Sequence, residues 1–202
     1  MWDDTHGTRC AGEVAAVKND VCGIGIAYTA KVAGLRILSG SLTNANEAAA
    51  VNYAYNTTQI YSCSWGPRDD GRTMDAPPEI VRRAFANGIE KGRDGLGSIF
   101  VFAAGNGGTS GDQCNFDGYT NSIFTITIAA MDNYQNHPAY SEQCPAILLA
   151  TYSSAGGGME GIHTTDWKGG CTDRHGGTSA AAPLAAGVYA LLLSIRYLFK
   201  LI

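Results

Sequence analysis

The chain has 202 residues, 45% of them hydrophobic, with 14 basic and 18 acidic side chains and a formal net charge of -4 at pH 7. That size and apolar content suit one globular domain with a sizeable core, and the acidic balance argues against nucleic acid, which usually demands a basic face. Glycine is frequent, 26 residues against a norm of about 7%, and it clusters beside polar residues as tight loops require.

In chain order, Met1-Trp2-Asp3-Asp4 runs straight into a charged stretch, which does not read as a signal peptide. A helix is predicted from near His6, carrying Ala11, Val14, Ala15 and Ala16. "KVAGLRIL" (31–38) reads as a buried strand. "NANEAAAVNYAY" offers Asn44 as N-cap with Glu47 three residues later, a capping-box-like helix start. "QIYSCSW" (59–65) predicts a strand, and "PPEIVRRAFANGIEKG" an amphipathic helix with proline at its start. "GSIFVFAAGN" (97–106) is a strand ending in a glycine-rich loop, and "FTITIAA" and "AILLATY" are further strands. From Ala180 to Ile195 the chain is mostly apolar, interrupted by Pro183 and Gly187 and followed by Arg196 and Lys200. It falls short of the roughly 20 residues that span a bilayer, so it reads as a core helix. Alternating strands and helices predict an α/β domain with a mainly parallel sheet covered on both faces. Sites in such sheets form at the carboxyl ends of strands, where "SCSWGP" and "FAAGNGG" sit.

Six cysteines, at positions 10, 22, 63, 114, 144 and 171, form no C-x-x-C pair. That spacing argues against a zinc or thioredoxin-like site and suits a few disulfides in an oxidising compartment. Asn56-Thr57-Thr58 is a short glycosylation acceptor pointing the same way.

Ser179 follows two glycines and a threonine at the predicted start of the last helix. A helix N-terminus offers unpaired N–H groups and a partial positive charge, which would stabilise an oxyanion if this serine attacked a carbonyl. Standing alone, Gly-Thr-Ser-Ala is more often a cap, and it is not a G-x-S-x-G elbow. His6, in "DTHGTRCAG", is the candidate base, with Gly7 leaving room for substrate; an isolated histidine is otherwise a surface or capping residue. His137, His163 and His175 lie in polar loops without a comparable pattern. Asn106, in "AAGNGG", has a side-chain amide suited to an oxyanion, although it also suits a turn. Asp69, Asp70, Asp112, Asp117 and Glu142 are loop carboxylates, ordinarily just solvated, but the kind that a pocket for Arg or Lys needs.

"HGTRCAGEVAAV", "SCSWGPRDDG", "FVFAAGNGG", "CNFDGYTNS" and "HGGTSAAAPLAAG" resemble the motifs of the kexin- and furin-like proprotein convertases, from about Asp3 to Leu193. The resemblance implies a subtilisin-like three-layer fold and calcium-dependent cleavage of secretory precursors after paired basic residues, in the Golgi lumen, with a propeptide expected in the full-length protein. By motif it assigns His6 as general base, Asn106 as oxyanion residue and Ser179 as nucleophile. Asp69 and Asp117 would line the pocket for the basic residue before the cut. Asp3 would face the next residue back, with Glu47 and Asp75 further along, and the Ser64-Trp65-Gly66 backbone would pair with the extended peptide. Asp69, Asp112 and Glu142 match a calcium site, an oxygen-only set that suits that hard cation. The resemblance also implies disulfides Cys22–Cys171 and Cys114–Cys144, leaving Cys10 and Cys63 free. Cys10, four residues after His6, shares its helix face and reads as a buried structural thiol.

Subtilisin-type enzymes order their catalytic residues Asp, His, Ser, whereas only Asp3 and Asp4 precede His6, within one turn of it. The expectation is an incomplete peptidase domain over 1–202, family-like over about 3–193, with the N-terminal strand bearing the aspartate missing and 194–202 a divergent tail. Such a chain is expected to be barely active by itself. The competing reading is a non-catalytic, truncated relative that binds basic peptides or calcium.

Overall fold

A computed structural model describes residues 5–158 and 161–198. Among them the chain forms α1 (Thr5–Ala15), α2 (Asn44–Val51), β1 (Ile60–Cys63), α3 (Glu79–Gly95), β2 (Ile99–Ala103), β3 (Ile126–Met131), β4 (Ile147–Tyr152), β5 (Ile162–Asp166), β6 (Gly170–His175) and α4 (Thr178–Ile195).

Strand β2, "IFVFA", is buried at every position, as a continuous apolar run in a two-sided parallel sheet should be. It sits inside a four-stranded sheet of order β1-β2-β3-β4, with all neighbours parallel and Ile60 opposite Ile99, Val101 opposite Ile126 and Ile128 opposite Leu149. Because strand side chains alternate in direction, β2 feeds two cores. Ile99, Val101 and Ala103 join Ile126, Ile128 and the α4 residues Ala181, Ala182, Ala185, Ala186, Tyr189 and Leu193, with Val14 of α1 packed alongside. Phe100 and Phe102 face the other way, against Val51 of α2, Val81 and Phe85 of α3, and Tyr119. Phe85 meets Phe100 edge-on at 4.9 Å. The result is three layers: α1 and α4, the sheet, then α2 and α3.

The alanines let α4 lie close to the strands, and a side chain at Gly187 would come within 2.8 Å of Ile26. By length and composition alone α4 could cross a membrane, but it packs across all four sheet strands and is a core helix here.

Several sequence expectations need correction. Residues 31–38 form no strand; Val32, Leu35 and Leu38 are 53%, 40% and 57% exposed. Among the described residues no strand pairs with this segment, and its apolar side chains stay open to solvent. The cap of α2 is Thr43, whose hydroxyl accepts the Asn46 N–H at 3.2 Å, rather than Asn44, and the helix stops at Val51 instead of continuing to Tyr55. The antiparallel hairpin β5–β6 went unforeseen. The disulfides Cys22–Cys171 and Cys114–Cys144 are both present, and Cys10 and Cys63 are free.

Candidate active site

Helix α1 is described from Thr5, with His6 next along it, and α4 opens at Thr178, so Ser179 lies in the first turn of its helix. Before α4, Gly177 has φ 75°, the left-handed region where glycine carries no steric penalty. A Cβ there would stand 2.9 Å from Asn106 Oδ1.

Asn106 lies in the loop after β2. Its Oδ1 accepts the Thr178 backbone N–H at 2.8 Å and the Thr178 hydroxyl at 3.1 Å. A backbone N–H only donates, so the carboxamide oxygen must face α4, which leaves the side-chain NH2 as the end available to an oxyanion. The loop is held from its other side by Asp69 Oδ2, which accepts the Asn106 N–H at 2.8 Å.

Ser179 is tied to the other elements through its carbonyl, which accepts from Ser64 Oγ at 2.9 Å and Cys10 Sγ at 3.5 Å. These bonds join α4 to the end of β1 and to α1. Among the described residues no hydrogen bond links His6 directly to Ser179, and no carboxylate is in hydrogen-bond reach of His6. Its Nδ1 stands 3.9 Å from Cys10 Sγ, and its ring meets that of His175 edge-on at 5.6 Å. The His6 ring retains solvent access, yet partial desolvation, followed by the Arg9 cation, lowers its pKa.

His175, expected in a polar loop, is instead 4% exposed at the end of β6. Burial, then the His6 and Arg9 charges, lowers its pKa to about 4. Beside it lies Glu13, also 4% exposed. The Glu13 carboxyl is pushed up to about 9 by burial, and Oε1 stands 3.2 Å from His175 Nε2. That contact is not a hydrogen bond, and neither Glu13 oxygen makes one. Sequence reasoning passed over both residues. The available signal was spacing: positions 6, 10 and 13 fall on one stripe of a helix.

The acidic residues gather on the other side of Asn106. Asp69, Asp112, Asp117 and Glu142 line one recess of about 10 Å³, roughly the room one water needs. Asp112 Oδ2 accepts the Gly71 N–H at 2.9 Å and Glu142 Oε1 the Gly107 N–H at 3.0 Å. Burial, and then Asp69, Asp112 and Asp117, push the Glu142 carboxyl up to about 7. The Asp117 carboxyl is raised by burial and then by Asp69, and its Oδ1 accepts the Tyr119 N–H at 2.7 Å.

Among the described residues no three His, Cys, Asp or Glu side chains stand close enough together to hold a metal ion as placed. In chemical kind the oxygen-only set still fits a hard cation. The carboxylates repel one another, and a side chain at Gly105 would collide with Glu142, so the space beside that carboxyl exists only because residue 105 is glycine.

Asp75 pairs through its backbone with Asp117, while Gly66 passes so close to Asp117 that a Cβ would lie 3.3 Å from Oδ2. Trp65 packs edge-on against Phe102 and Tyr119, each at 5.4 Å. Ser64-Trp65-Gly66 therefore leads from Ser179 towards the acidic recess. Glu47 is buried, its Oε1 accepting the Tyr119 hydroxyl at 2.6 Å, which ties α2 to the loop that carries Asp117. Asp3 lies outside the described residues. A second, larger cavity of about 480 Å³ opens beside Asn106, bordered by Tyr140, Ser154, Gly156, Arg174 and His175.

Comparison with known proteins places this geometry in a family. The Subtilase family profile matches residues 1–198. The dibasic-processing endoprotease of Schizosaccharomyces pombe is 65% identical over 196 residues, 97% of this chain and 27% of that protein. The kexin of Candida albicans is 59% identical over 194 residues, 96% of this chain and 20% of its own length. The chain thus spans about a quarter or less of these relatives. Among solved structures, the serine protease of Aeromonas sobria superimposes with a TM-score of 0.84 at 20% identity, covering 98% of this chain and 42% of that one, a likeness of fold. With a family profile running through nearly every residue and the parallel sheet arranged as in solved serine proteases, this chain belongs to the subtilase family.

Proposed function

We propose that the chain carries the nucleophile-bearing part of a calcium-dependent serine endopeptidase that cuts secretory precursors after paired basic residues, Lys-Arg or Arg-Arg, in the Golgi lumen. The observation that carries this reading is the double hold of Thr178 on Asn106 Oδ1, which commits the carboxamide NH2 to donation beside the first turn of α4. In this reading Ser179 Oγ attacks the scissile carbonyl as His6 takes its proton. Asn106 and the backbone N–H groups at the α4 start hold the oxyanion. His6 then returns the proton to the leaving amine.

Asp69 and Asp117 receive the basic side chain before the cut, and Asp75 lies within reach of residues further back. Asp69, Asp112 and Glu142 would hold calcium, which when bound supplies positive charge that offsets their mutual repulsion. The names of the relatives, a dibasic-processing endoprotease and a kexin, agree with that substrate class.

The test is prolonged incubation of the 202-residue chain and its Ser179→Ala variant with peptides carrying Arg-Arg, Lys-Arg or Ala-Ala, with and without a calcium chelator, and location of any cut by mass spectrometry. Cleavage after the basic pair that is lost in Ser179→Ala and weakened by chelation is the expected result. Cleavage that survives Ser179→Ala, or ignores the basic pair, overturns it. A second reading, binding of basic peptides with little turnover, rests on the recess that Asp69, Asp112, Asp117 and Glu142 line together. It predicts saturable, calcium-dependent peptide binding by both proteins and no cut.

A further inference from the structure

Asn56-Thr57-Thr58 is the only Asn-X-Ser/Thr triplet in the sequence, and the peptidase chemistry makes no use of it. The pattern by itself is short, and a turn between α2 and β1 could spend an asparagine and two threonines on its own hydrogen bonds. The structure separates the two uses residue by residue.

After Val51 the chain leaves α2, passes through a left-handed residue at Ala54, φ 49°, and enters β1 at Ile60. The Ala54 carbonyl closes the turn, accepting the N–H groups of Thr57 and Thr58, both at 2.8 Å, and the Thr57 hydroxyl at 3.2 Å. The Tyr53 carbonyl accepts the Thr58 hydroxyl at 3.3 Å and the Tyr61 hydroxyl at 2.7 Å. From the α3–β2 side, the Arg93 N–H donates to the Tyr55 carbonyl at 3.4 Å and Ser98 Oγ to the Thr58 carbonyl at 3.2 Å. Both threonines therefore serve the turn. Asn56 does not: it is exposed, and among the described residues its carboxamide has no hydrogen-bond partner. Asn52 and Asn87, close by, instead bond each other through their carboxamides at 2.9 Å.

We propose that Asn56 is an N-glycosylation site, carrying an oligosaccharide at the end of the sheet opposite the candidate active site. The proposal rests on the secretory placement in the reading above. The donor is an oligosaccharide carried on a lipid diphosphate. Asn56 Nδ2 forms a bond to C1 of the first N-acetylglucosamine, and the C1–O bond to the diphosphate breaks. The lipid diphosphate leaves with that electron pair, and one Nδ2 proton passes to the transferase. Thr58 supplies the hydroxyl that the acceptor pattern requires. Folding must then accommodate the product, which is bulky and solubilising and belongs at a surface. An exposed asparagine whose side chain takes no part in the turn meets that demand.

The sheet strands run parallel. Ser64 and Asn106 follow the carboxyl ends of β1 and β2, whereas Asn56 precedes the amino end of β1. That strand is four residues long, about 13 Å, so the attachment point and the candidate active site lie at opposite ends of the sheet.

The experiment directs the 202-residue chain into the yeast secretory pathway with an added leader, alongside Asn56→Gln, Thr58→Val and Thr58→Ser. Formation of the Cys22–Cys171 and Cys114–Cys144 bridges, read by non-reducing peptide mapping, certifies that each protein reached the oxidising lumen and folded. An endoglycosidase that leaves one N-acetylglucosamine on the asparagine then marks the site for mass spectrometry. The parent is expected as a heavier band that collapses on treatment, with the residual sugar on Asn56. Asn56→Gln and Thr58→Val should lose the heavier band completely. In Thr58→Val the Tyr53 carbonyl keeps the Tyr61 hydroxyl, so the turn is not left without a donor. Thr58→Ser, which keeps a hydroxyl, should retain the glycan on part of the molecules. A parent with both bridges formed and Asn56 bare overturns the proposal, as does a heavier band that persists in Asn56→Gln. The same glycopeptide, sought in the protein from its natural source, tests the secretory placement. A bare Asn56 there, with the leader-directed chain glycosylated, overturns that placement and not the acceptor site.

Discussion

Pro183 has no N–H to give the carbonyl of Ser179 four residues before it, and that carbonyl is the acceptor on which Ser64 Oγ and Cys10 Sγ converge. A proline inside a helix removes one backbone bond. Here the gap is filled by two side chains from other elements, which locks the first turn of α4 to β1 and α1. Ser64→Ala should therefore destabilise the protein by about 1 kcal/mol in urea denaturation. In a Pro183→Ala background the new helix N–H can take the carbonyl, and the loss should shrink to roughly half. Equal losses in both backgrounds would show that Ser64 and Pro183 are uncoupled.

Asn106→Ala should lower kcat on a basic-pair peptide by about 10² to 10³ and leave KM little changed, because the carboxamide acts on charge that develops during reaction. Thr178→Val removes one of its two anchors and keeps the backbone N–H. A smaller drop in kcat is expected, and one as large as that of Asn106→Ala would mean that the hydroxyl does more than orient the amide.

Glu13 and His175 predict a pH dependence of stability that does not depend on which of them holds their proton. Folded, the pair binds one proton between about 4, where His175 titrates, and about 9, where Glu13 does. Unfolded, with ordinary values of 4.5 and 6.5, it binds two below pH 4.5, one up to 6.5 and none above. Stability rises with pH wherever the unfolded chain binds more protons. The pair should therefore leave stability flat between 4.5 and 6.5 and make it fall from 6.5 to 9. Urea midpoints across that range should show the decline in the parent and lose it in Glu13→Gln.

The disulfides should differ in worth. Cys22–Cys171 closes a separation of 149 residues and Cys114–Cys144 one of 30. On chain entropy alone, replacing the first pair by alanines should be more destabilising than replacing the second by about 1 kcal/mol. Differential denaturation of the two double variants measures this, and the opposite ranking would place the main effect in the folded state.

If no carboxylate of this chain orients His6, the 202-residue chain by itself should turn over slowly. In this fold, removing the carboxylate that orients the base lowers kcat by about 3 × 10⁴. Burst titration of Ser179 followed by steady-state kinetics would check it, and turnover above about 1 s⁻¹, the low end for ordinary enzymes, would be incompatible.

The long periodic or uniformly apolar segments were legible one by one. "IFVFA" reads as strand because a short run of aromatic and β-branched residues bounded by glycine turns suits a strand buried on both faces, and the α4 alanines announce a helix that must lie close to its neighbour. Ser179, His6 and Asn106 stood out because each sits in a glycine-flanked motif at an element's end. The N-cap of α2 was misread by one position because Thr43 and Asn44 both make good caps, and only the Asn46 N–H direction separates them.

Local sequence, then, determined which segments are helix or strand and which residues carry reactive groups, because periodicity, capping and glycine conformation act over a few residues. Only the tertiary structure decided what surrounds those groups. The exposure of 31–38 depends on whether a strand lies beside it, the burial of Glu47 on Tyr119, and the contact of Cys10 with the Ser179 carbonyl on the meeting of α1 and α4. Each is a contact between positions distant in the chain, set by packing and desolvation, to which no local pattern refers.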